Sequence, residues 1–523
     1  MVKLPRCVWI LTLAVSALSG AGTFHLRVEI RDSQTAKTIP ARVYLTDHAG
    51  KLWTPAGAII YDKREEHHFI STGSFEIDLP PGHYTLTSER GPEYRSYNTS
   101  IDARADGRQD VTIQMVRWID MNRLGWYSGD LHNHRSLAEM PQLMLAEDLN
   151  IAPTLAEWIW EDRPVSTAPR TDAPKHIDES HVYSALNEEV ERLEHGPGAV
   201  DLLSLKSIIP FKGYRLYPPN DEFCRQAHAQ GGYVDLEKIV WRDSAALVAL
   251  GLADFAGVVH NHFNRHNVLF ETDRWGMIPK GKPEFETIAG MPLWAMEVYY
   301  RYLNCGFHLP VSAGSASGVM AAPLGYNRVY VKLREPFSYE SWFRELKVGR
   351  SFGTNGPMLF VTVNGSEPGS VLRFSENSPA KVHVHAEASS AGTLDRLDII
   401  FKGRVIKTVS APEDRGKLTA DLEYPINETG WLVARCFERP GTTIHFAQTS
   451  PVYLEVGSQP GIVAEDARFF VDWINNEIAF YRNEPGFRSA ADRAAMITFF
   501  EKARAIYEKL ANAGQASPHR GTD

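Results

Sequence analysis

The sequence predicts a mixed protein in which a central unit of alternating strands and helices is flanked by two β-sandwich domains and followed by a helical segment. Residues 23–117 and 358–457 alternate apolar and polar side chains at the two-residue spacing of half-buried strands. Residues 118–357 mix short apolar strands with helical segments, whereas residues 458–523 place apolar side chains at helical spacing. A length of 523 residues fits several such domains better than one core.

The first 22 residues have the pattern of a signal peptide. Lys3 and Arg6 accompany an apolar run from Val8 to Leu18, and nearby small residues suit cleavage. No second run of about 18 apolar residues occurs, so we expect a secreted or periplasmic protein with no transmembrane segment in the mature chain. The net charge of −9 comes without a long basic run, which argues against a nucleic-acid partner.

Residues 23–117 contain candidate strands separated by turns. The stretches 24–30 and 41–45 alternate apolar and polar residues, and Pro80-Pro81-Gly82 separates two further strands as in a hairpin. The phrase DLPPGHYTL is similar to carboxypeptidase-regulatory-like and transthyretin-like sandwich modules, which implies a structural or binding appendage.

Within residues 118–357 we expect helical segments over 140–149, 182–194 and 222–231, the last followed by a strand over 232–236. This rhythm favours a mostly parallel sheet or a barrel, because parallel strands need helical crossovers between them.

The tail predicts two amphipathic helices, one from Ala464 to Arg482 and another that begins near Ser489. The second helix repeats apolar residues three and four positions apart: Met496, Phe499, Phe500, Ala503, Tyr507 and Leu510.

The clearest chemical pattern is the segment from Gly125 to His134. Asp130, His132 and His134 occur at alternate positions, so an extended strand would present all three on one face. A carboxylate and two imidazoles in this arrangement form a partial site for a divalent metal. The competing interpretation is a polar strand end whose histidines are satisfied by ordinary hydrogen bonds.

Three further groups of residues suit the same chemistry less specifically. His260 and His262 share a strand face after an apolar run, and Asp235 and Glu237 share another. The two carboxylates suit metal binding, general-base catalysis or ion pairing with the nearby Lys238 and Arg242. The acidic segment around Glu189, with His195 six residues later, indicates by itself a solvated helix. The loop Gly314–Gly318 indicates a structural turn near a strand end.

Several phrases together resemble the PHP (polymerase and histidinol phosphatase) superfamily, and most closely its secreted CehA/McbA-type metallohydrolase branch. The resemblance covers about residues 120–357 and extends more weakly through the second sandwich and the tail. The phrases that carry it are GWYSGDLHNHR, MLAEDLNIAP, NEEVERLEHG, YYRYLNCG, PVSAGSASGV, GYNRVYV and SFGTNGP.

The resemblance implies a distorted β7α7 barrel that binds one to three metal ions, usually zinc, manganese or iron, and hydrolyses phosphate esters. The branch includes an aryl carbamate hydrolase. The family's HxH motif falls on His132 and His134, its glutamate on Glu189, and the histidine after it on His195.

At least four of the family's usual ligands are missing from this chain. The pair expected after the second strand is replaced by residues 153–158, the histidine-proline after Gly-Gly reads Glu237-Lys238, and the final Asp-x-His reads Ala316-Ser317-Gly318. These departures argue against a trinuclear site and leave either a rearranged site or a barrel that has lost its metal. The retained cluster of Asp130, His132 and His134 favours one ion.

Two hypotheses follow. In the first, an exported hydrolase of ester, carbamate or phosphoester bonds acts on a small-molecule or glycan substrate and binds one zinc, manganese or iron ion. Asp235 or Glu237 would act as general base or as a further ligand. In the second, the protein binds carbohydrate without catalysing a reaction, and its barrel is degenerate and binds no metal. The ligands expected under the first hypothesis are Asp130, His132, His134 and His262, with Glu189 and His195 as further candidates.

Overall fold

The computed structural model describes residues 22–165, 173–270, 282–376, 380–411 and 416–516. The chain is a mixed α/β protein with several sheets, richer in strand than in helix, and it ends in a pair of helices. The expected signal peptide lies outside the described residues, apart from its last position. None of the helices in the described ranges combines the length and the apolar character needed to cross a bilayer.

The first part of the chain folds into two sheets around one apolar core. Strand β1 lies between β5 and β8 in the smaller sheet, and the larger has the order β3-β4-β2-β6-β7. Alternate residues of β1, such as Leu26 and Val28, are fully buried between the sheets, as its two-residue periodicity predicts. The strands are β1 Phe24–Asp32, β2 Ala41–Asp47, β3 Ile59–Lys63, β4 Glu66–Ser71, β5 Ser74–Leu79, β6 Gly82–Glu89, β7 Tyr97–Ala103 and β8 Arg108–Met115.

The central part alternates short strands with short helices. Its helices are α1 Met140–Glu147, α2 Asp221–Ala229, α3 Ser244–Ala249, α4 Gly290–Asn304 and α5 Tyr339–Val348. Its strands are β9 Trp126–Gly129, β10 Ile151–Pro153, β11 Glu157–Trp160, β12 Arg163–Pro164, β13 Lys175–His176, β14 Val182–Ser184, β15 Glu188–Arg192, β16 Gly198–Leu203, β17 Tyr233–Leu236, β18 Phe255–Val259, β19 Val311–Ala313, β20 Arg328–Lys332 and β21 Ser351–Thr354.

One sheet of this central part has the order β12-β11-β15-β16-β17-β18-β19. Its pairs β11–β15, β17–β18 and β18–β19 are parallel, whereas β16 is antiparallel to both neighbours. The antiparallel pair arises because only residues 193–197 join β15 to β16, which allows a hairpin but no helical crossover. The expected mostly parallel sheet is therefore mixed at its centre.

The helix expected over residues 182–194 is wrong. These residues form β14 and β15, and β15 lies between β11 and β16 in the sheet. Glu188 and Glu189 are consequently buried rather than solvated. Strand pairing on both sides of β15 outweighs the helical propensity of its glutamates, which is a weak preference of a few tenths of a kcal/mol per residue.

A second, larger sheet joins the central part to the following strands. It runs β13-β14-β10-β9-β20-β21-β29-β28-β25-β26, so its ladder continues across the expected domain boundary at residues 357 and 358. The three-stranded sheet β22-β24-β27 shares an apolar core with it, in a sandwich-like arrangement. The strands added here are β22 Met358–Val363, β23 Val371–Phe374, β24 Ala380–Ser389, β25 Leu394–Phe401, β26 Arg404–Ser410, β27 Lys417–Ile426, β28 Gly430–Glu438, β29 Phe446–Thr449 and β30 Val452–Val456.

The tail forms the expected helical pair, α6 Ala464–Asn483 and α7 Ala490–Ala516. The predicted apolar positions of α7 are buried, apart from the partly buried Leu510, and they belong to the same core as the central sheet. Two hydrogen bonds attach the pair to the segment around α3. Trp473 donates to the Arg242 carbonyl at 3.1 Å, and Tyr507 donates to the Ala245 carbonyl at 2.9 Å.

Buried ion pairs connect the first sandwich to the central part. Arg42 on β2 contacts Glu89 on β6 at 2.6 Å and also pairs with Glu147 of α1. Arg265, in the segment after β18, reaches back to Glu89 at 2.6 Å. Burial raises the pKa of Glu89, but the charges of Arg42 and Arg265 outweigh it and lower the pKa to about 2.

This interface is expected to be acid-labile. Because the folded state holds the pKa of Glu89 below its unfolded value, the stabilisation is complete above about pH 5 and is lost as the pH falls towards 2. The loss is on the order of 2–3 kcal/mol for this carboxylate. Thermal unfolding measured between pH 7 and pH 3 should show the decline, and Glu89→Gln should flatten it. Glu76→Gln, at an exposed position, is the matched control. An equal decline in Glu89→Gln and the unmodified chain would contradict the assignment.

Candidate metal centre

The HxH segment follows β9 and is held by the glycine-serine loop after β19. The Ala316 amide donates to the His132 carbonyl at 2.7 Å, and the His134 amide donates to the Ser317 carbonyl at 2.8 Å. Gly314 makes this close approach feasible, because a Cβ there would lie 2.4 Å from the Cβ of His132. The loop Gly314–Gly318 therefore positions both histidines.

His132, His134 and Glu189 converge in the interior. The two Nε2 atoms are 3.0 Å apart, His134 Nε2 lies 3.1 Å from Glu189 Oε2, and His132 Nε2 lies 3.6 Å from Glu189 Oε1. All three residues are buried, and one potential ligand atom from each lies within 4.8 Å of the others. Two ligands that each lie about 2.0–2.1 Å from a tetrahedral ion are about 3.3 Å apart, so these separations fit a shared cation.

The register of the central sheet adds a carboxylate that sequence reasoning missed. Glu189 on β15 is paired with Asp201 on β16, and Asp201 is paired with Asp235 on β17. Three neighbouring strands therefore each contribute an acid at one level of the sheet. The signal in the sequence was a lone aspartate inside the apolar strand Gly198–Leu203.

His132 connects this row of acids to the histidine pair. Its Nδ1 lies 3.3 Å from Glu237 Oε1 and 3.6 Å from Asp201 Oδ2, while its Nε2 faces His134 and Glu189. A metal-binding histidine typically directs its second ring nitrogen at a carboxylate, which fixes the ring and makes it a better ligand. Asp201 and Glu237 are placed for that task.

The other two sequence-predicted carboxylates already have partners. Glu237 accepts hydrogen bonds from Lys238 Nζ and, at 2.7 Å, from Trp241 Nε1. The ion-pair interpretation of Glu237 is therefore realised in the fold, with Lys238 as the partner. Asp235 accepts a hydrogen bond from Ser312 Oγ at 2.6 Å.

The pKa values follow from this crowding. Burial raises the pKa of Glu189, but the charge of His132 outweighs it and lowers the pKa to about 2. Burial lowers the pKa of His132, yet the charges of Asp201 and Glu189 raise it well above its ordinary value. Burial, with the charges of Glu189 and Glu237, raises the pKa of Asp201 well above its usual range, against the opposing effect of His132. The buried acids and imidazoles of this site therefore strongly influence one another's protonation.

Unpartnered oxygens show that the residues fit a cation. Neither carboxylate oxygen of Glu189 or Asp201 accepts a hydrogen bond from the residues that the structure describes. Burying such a group without compensation costs several kcal/mol. A divalent cation bound by His132, His134 and Glu189 would supply the missing compensation, and three protein ligands with an open position are typical of catalytic zinc sites.

Asp130 is close to the histidines, but its carboxylate is used by the main chain. Oδ1 accepts from the amides of Ser315 at 2.9 Å and His132 at 3.2 Å, and Oδ2 accepts from the Gly325 amide at 2.7 Å. Burial raises the pKa of Asp130 to about 6. The structure therefore places Asp130 as a support for the loop and the HxH segment.

His195 and His262 are not brought into this group. The His195 side chain is 61% exposed, and its Nδ1 lies 2.7 Å from a carboxylate oxygen of Glu484, which follows α6. His260 and His262 are buried, and neither His260 Nε2 nor His262 Nδ1 has a hydrogen-bond partner among the described residues. Burial and the charge of Lys238 lower the pKa values of both imidazoles, that of His260 to about 3.

Tyr61, on β3 of the first sandwich, reaches the loop that positions the histidines. Its hydroxyl donates to the Met320 carbonyl at 2.6 Å and accepts from the Gly318 amide at 2.8 Å. Arg135, next to His134, lies over the ring at 4.7 Å from its centre. The first sandwich therefore helps to hold the candidate site.

Tyr61→Phe is expected to lower the free energy of unfolding by about 1–3 kcal/mol and to weaken Mn²⁺ binding several-fold, because the loop behind the histidines loses two hydrogen bonds. Tyr84→Phe is the control, since that hydroxyl donates to the Pro80 carbonyl within the first sandwich. Calorimetric titration of both variants with Mn²⁺ checks the result. Equal Mn²⁺ affinity in the two variants would refute a positioning role for Tyr61.

Comparisons with known proteins add little. No family model matches the chain, and no curated protein matches it. Among solved structures, the Bacillus anthracis TIE protein is similar over 22% of this chain and 20% of that chain, with 14% sequence identity and a TM-score of 0.15. A likeness of that extent carries no argument about fold or function.

Proposed function

We propose that this protein is an exported, metal-dependent hydrolase of the PHP type that cleaves an ester, carbamate or phosphoester bond. The observation that carries the proposal is the buried group of His132, His134 and Glu189, whose carboxylate accepts no hydrogen bond from the described residues. In this proposal the central unit, residues 118–357, is a distorted PHP-like barrel, and the zinc, manganese or iron ion lies at its strand ends.

The ligands of the ion are His132, His134 and Glu189. When bound, a divalent ion of this kind lowers the pKa of water towards neutrality and polarises a carbonyl or phosphoryl oxygen. Asp201 and Glu237 face the outer nitrogen of His132, at 3.6 and 3.3 Å, and so favour one orientation of its ring. The loop Gly314–Gly318 fixes the main chain behind both histidines.

A proton acceptor is also present beside the site. Glu237 is unsuited to this role, because Lys238 and Trp241 already donate to it and, against burial, the charges of Lys238 and His132 lower its pKa well below its usual range. Asp235 differs, since burial and the charge of Glu237 raise its pKa to about 7. Of the two sequence-predicted candidates, Asp235 is therefore the one able to exchange a proton near neutral pH.

A second function is favoured by one observation. The Trp158 ring lies 4.8 Å from that of His134 and 5.2 Å from that of Trp160, and both tryptophans are partly exposed. Such rings can stack on a sugar, which supports the alternative of a non-catalytic carbohydrate-binding protein without a metal.

A substrate screen separates the two functions. Purified protein is incubated with nitrophenyl carboxyl esters, carbamates and phosphate esters, with added Mn²⁺ or Zn²⁺ and with a chelator. The hydrolase proposal expects turnover that the chelator abolishes and added metal restores, and that His132→Ala lacks. Saturable glycan binding without turnover of any ester would overturn it.

A further inference from the structure

Lys238 is a buried cation inside the candidate site. Only 2% of its side chain is exposed, its ammonium contacts Glu237 Oε1, and Nζ lies 4.7 Å from the centre of the Trp241 ring. Buried lysines are rare unless they are paired, so this ammonium is held here by the carboxylate and the aromatic face.

The two sides of the His132 ring carry similar ligand sets. Nε2 faces His134 and Glu189, the group that fits a divalent ion. Nδ1 faces Asp201 and Glu237, two carboxylates of which Asp201 is fully buried and accepts no hydrogen bond from the described residues. The Nδ1 side thus offers oxygen donors to a cation as well, and the cation found there is the Lys238 ammonium.

The influence of this ammonium extends to a neighbouring histidine. His260 is 1% exposed, and its Nε2 has no hydrogen-bond partner among the described residues. Lys238 is the charged group that, after burial, most disfavours a positive charge on His260. The same repulsion would act on any second metal ion, since both charges would lie in a buried region of low effective dielectric constant.

We propose that Lys238 is a built-in cation that occupies the second cation position of this site and so restricts it to one metal ion. This inference rests on the proposed metal-dependent function. The ammonium pairs with Glu237, whereas Glu189 and the two histidines remain available for an exchangeable ion. Removing the ammonium leaves Glu237 without its cation, beside Asp201, whose oxygens accept no hydrogen bond from the described residues. A divalent ion stabilises such a pair of buried carboxylates.

Metal stoichiometry tests this role. The full mature chain is stripped with a chelator, saturated with Mn²⁺ and desalted, and manganese per chain is measured together with the electron paramagnetic resonance spectrum. We expect one uncoupled Mn²⁺ in the wild-type protein and in Lys238→Arg. In Lys238→Met we expect two ions per chain and the broadened spectrum of two magnetically interacting ions, because the two positions lie on opposite sides of one imidazole ring.

Each outcome decides between the proposals. A wild-type protein that binds no Mn²⁺ overturns the proposed function, whereas one bound ion in both the wild type and Lys238→Met overturns only the role of Lys238. Two magnetically interacting Mn²⁺ ions in the wild type also overturn the role of Lys238, and this result does not depend on any variant. If Lys238→Met folds only with Mn²⁺, the dependence supports the inference. If it does not fold, Lys238→Gln is used, which keeps a polar side chain without the charge: two ions per chain support the role of Lys238, and one ion overturns it.

Discussion

Glu189→Gln is expected to abolish metal binding and hydrolysis together. Glutamine keeps the shape of the side chain but removes the negative charge that contacts both His132 and His134. We expect Mn²⁺ affinity to fall by at least about 100-fold, since losing an outer-shell partner alone costs about 10–100-fold. Chelator-sensitive turnover should fall to the background rate. Competition with a chromophoric chelator measures the affinity, and initial rates on the best ester measure the turnover.

The matched control for this variant is His195→Ala. His195 is the other residue suggested by the same acidic segment, but its imidazole is exposed and contacts Glu484 away from the candidate site. His195→Ala should therefore keep the wild-type affinity for Mn²⁺ and the wild-type turnover. Retained affinity in Glu189→Gln, or lost affinity in His195→Ala, would show that the ligands are assigned wrongly.

Asp201→Asn is expected to act in opposite directions on the metal-bound and metal-free protein. With metal bound, the variant should weaken Mn²⁺ binding by about 10–100-fold, because His132 loses an orienting carboxylate. Without metal, the variant should unfold at a higher temperature than the wild type, since asparagine removes a buried carboxyl whose ionised form is disfavoured by burial and by the charges of Glu189 and Glu237. Thermal unfolding with Mn²⁺ and with a chelator measures both effects.

Chelation should also lower the unfolding temperature of the wild type. A ligand present at 100 times its Kd stabilises the folded state by about 2.7 kcal/mol. That difference should shrink in Asp201→Asn, because its affinity is lower and its metal-free form is less strained. An unfolding temperature of the wild type that does not respond to saturating Mn²⁺ would contradict the account, as would a metal-free Asp201→Asn less stable than the metal-free wild type.

Local periodicity predicted the elements that depend on local spacing. The two-residue alternation of β1 and the helical spacing of α7 each follow from one buried face, and both are found in the structure. Long-range pairing was less predictable. Nothing in residues 182–194 shows that β15 lies between two strands, so their glutamates indicated a helix. The continuation of the larger sheet past residue 357 likewise depends on a distant pairing, that of β21 with β29.

In the candidate site, too, the residues that depend on local spacing were predictable and those that depend on long-range strand pairing were not. His132 and His134 could be predicted because alternate positions of one extended segment must share a face. Glu189 came only from the family resemblance, and Asp201 was missed because its proximity depends on the pairing of β15 with β16. His195 also came from the family resemblance, yet it lies in the turn between β15 and β16, with a left-handed φ of 63°, and its ring contacts Glu484.

Counting the metal bound per chain tests most directly whether His132, His134 and Glu189 bind a divalent ion. The protein, purified without chelator and then saturated with Zn²⁺ or Mn²⁺ and desalted, is compared with the variant His132→Ala/His134→Ala by elemental analysis. We expect one divalent ion per chain in the wild-type protein and less than about a tenth of that in the variant, given the loss of two of three ligands. A wild-type protein without bound metal, or equal metal content in both proteins, would contradict it.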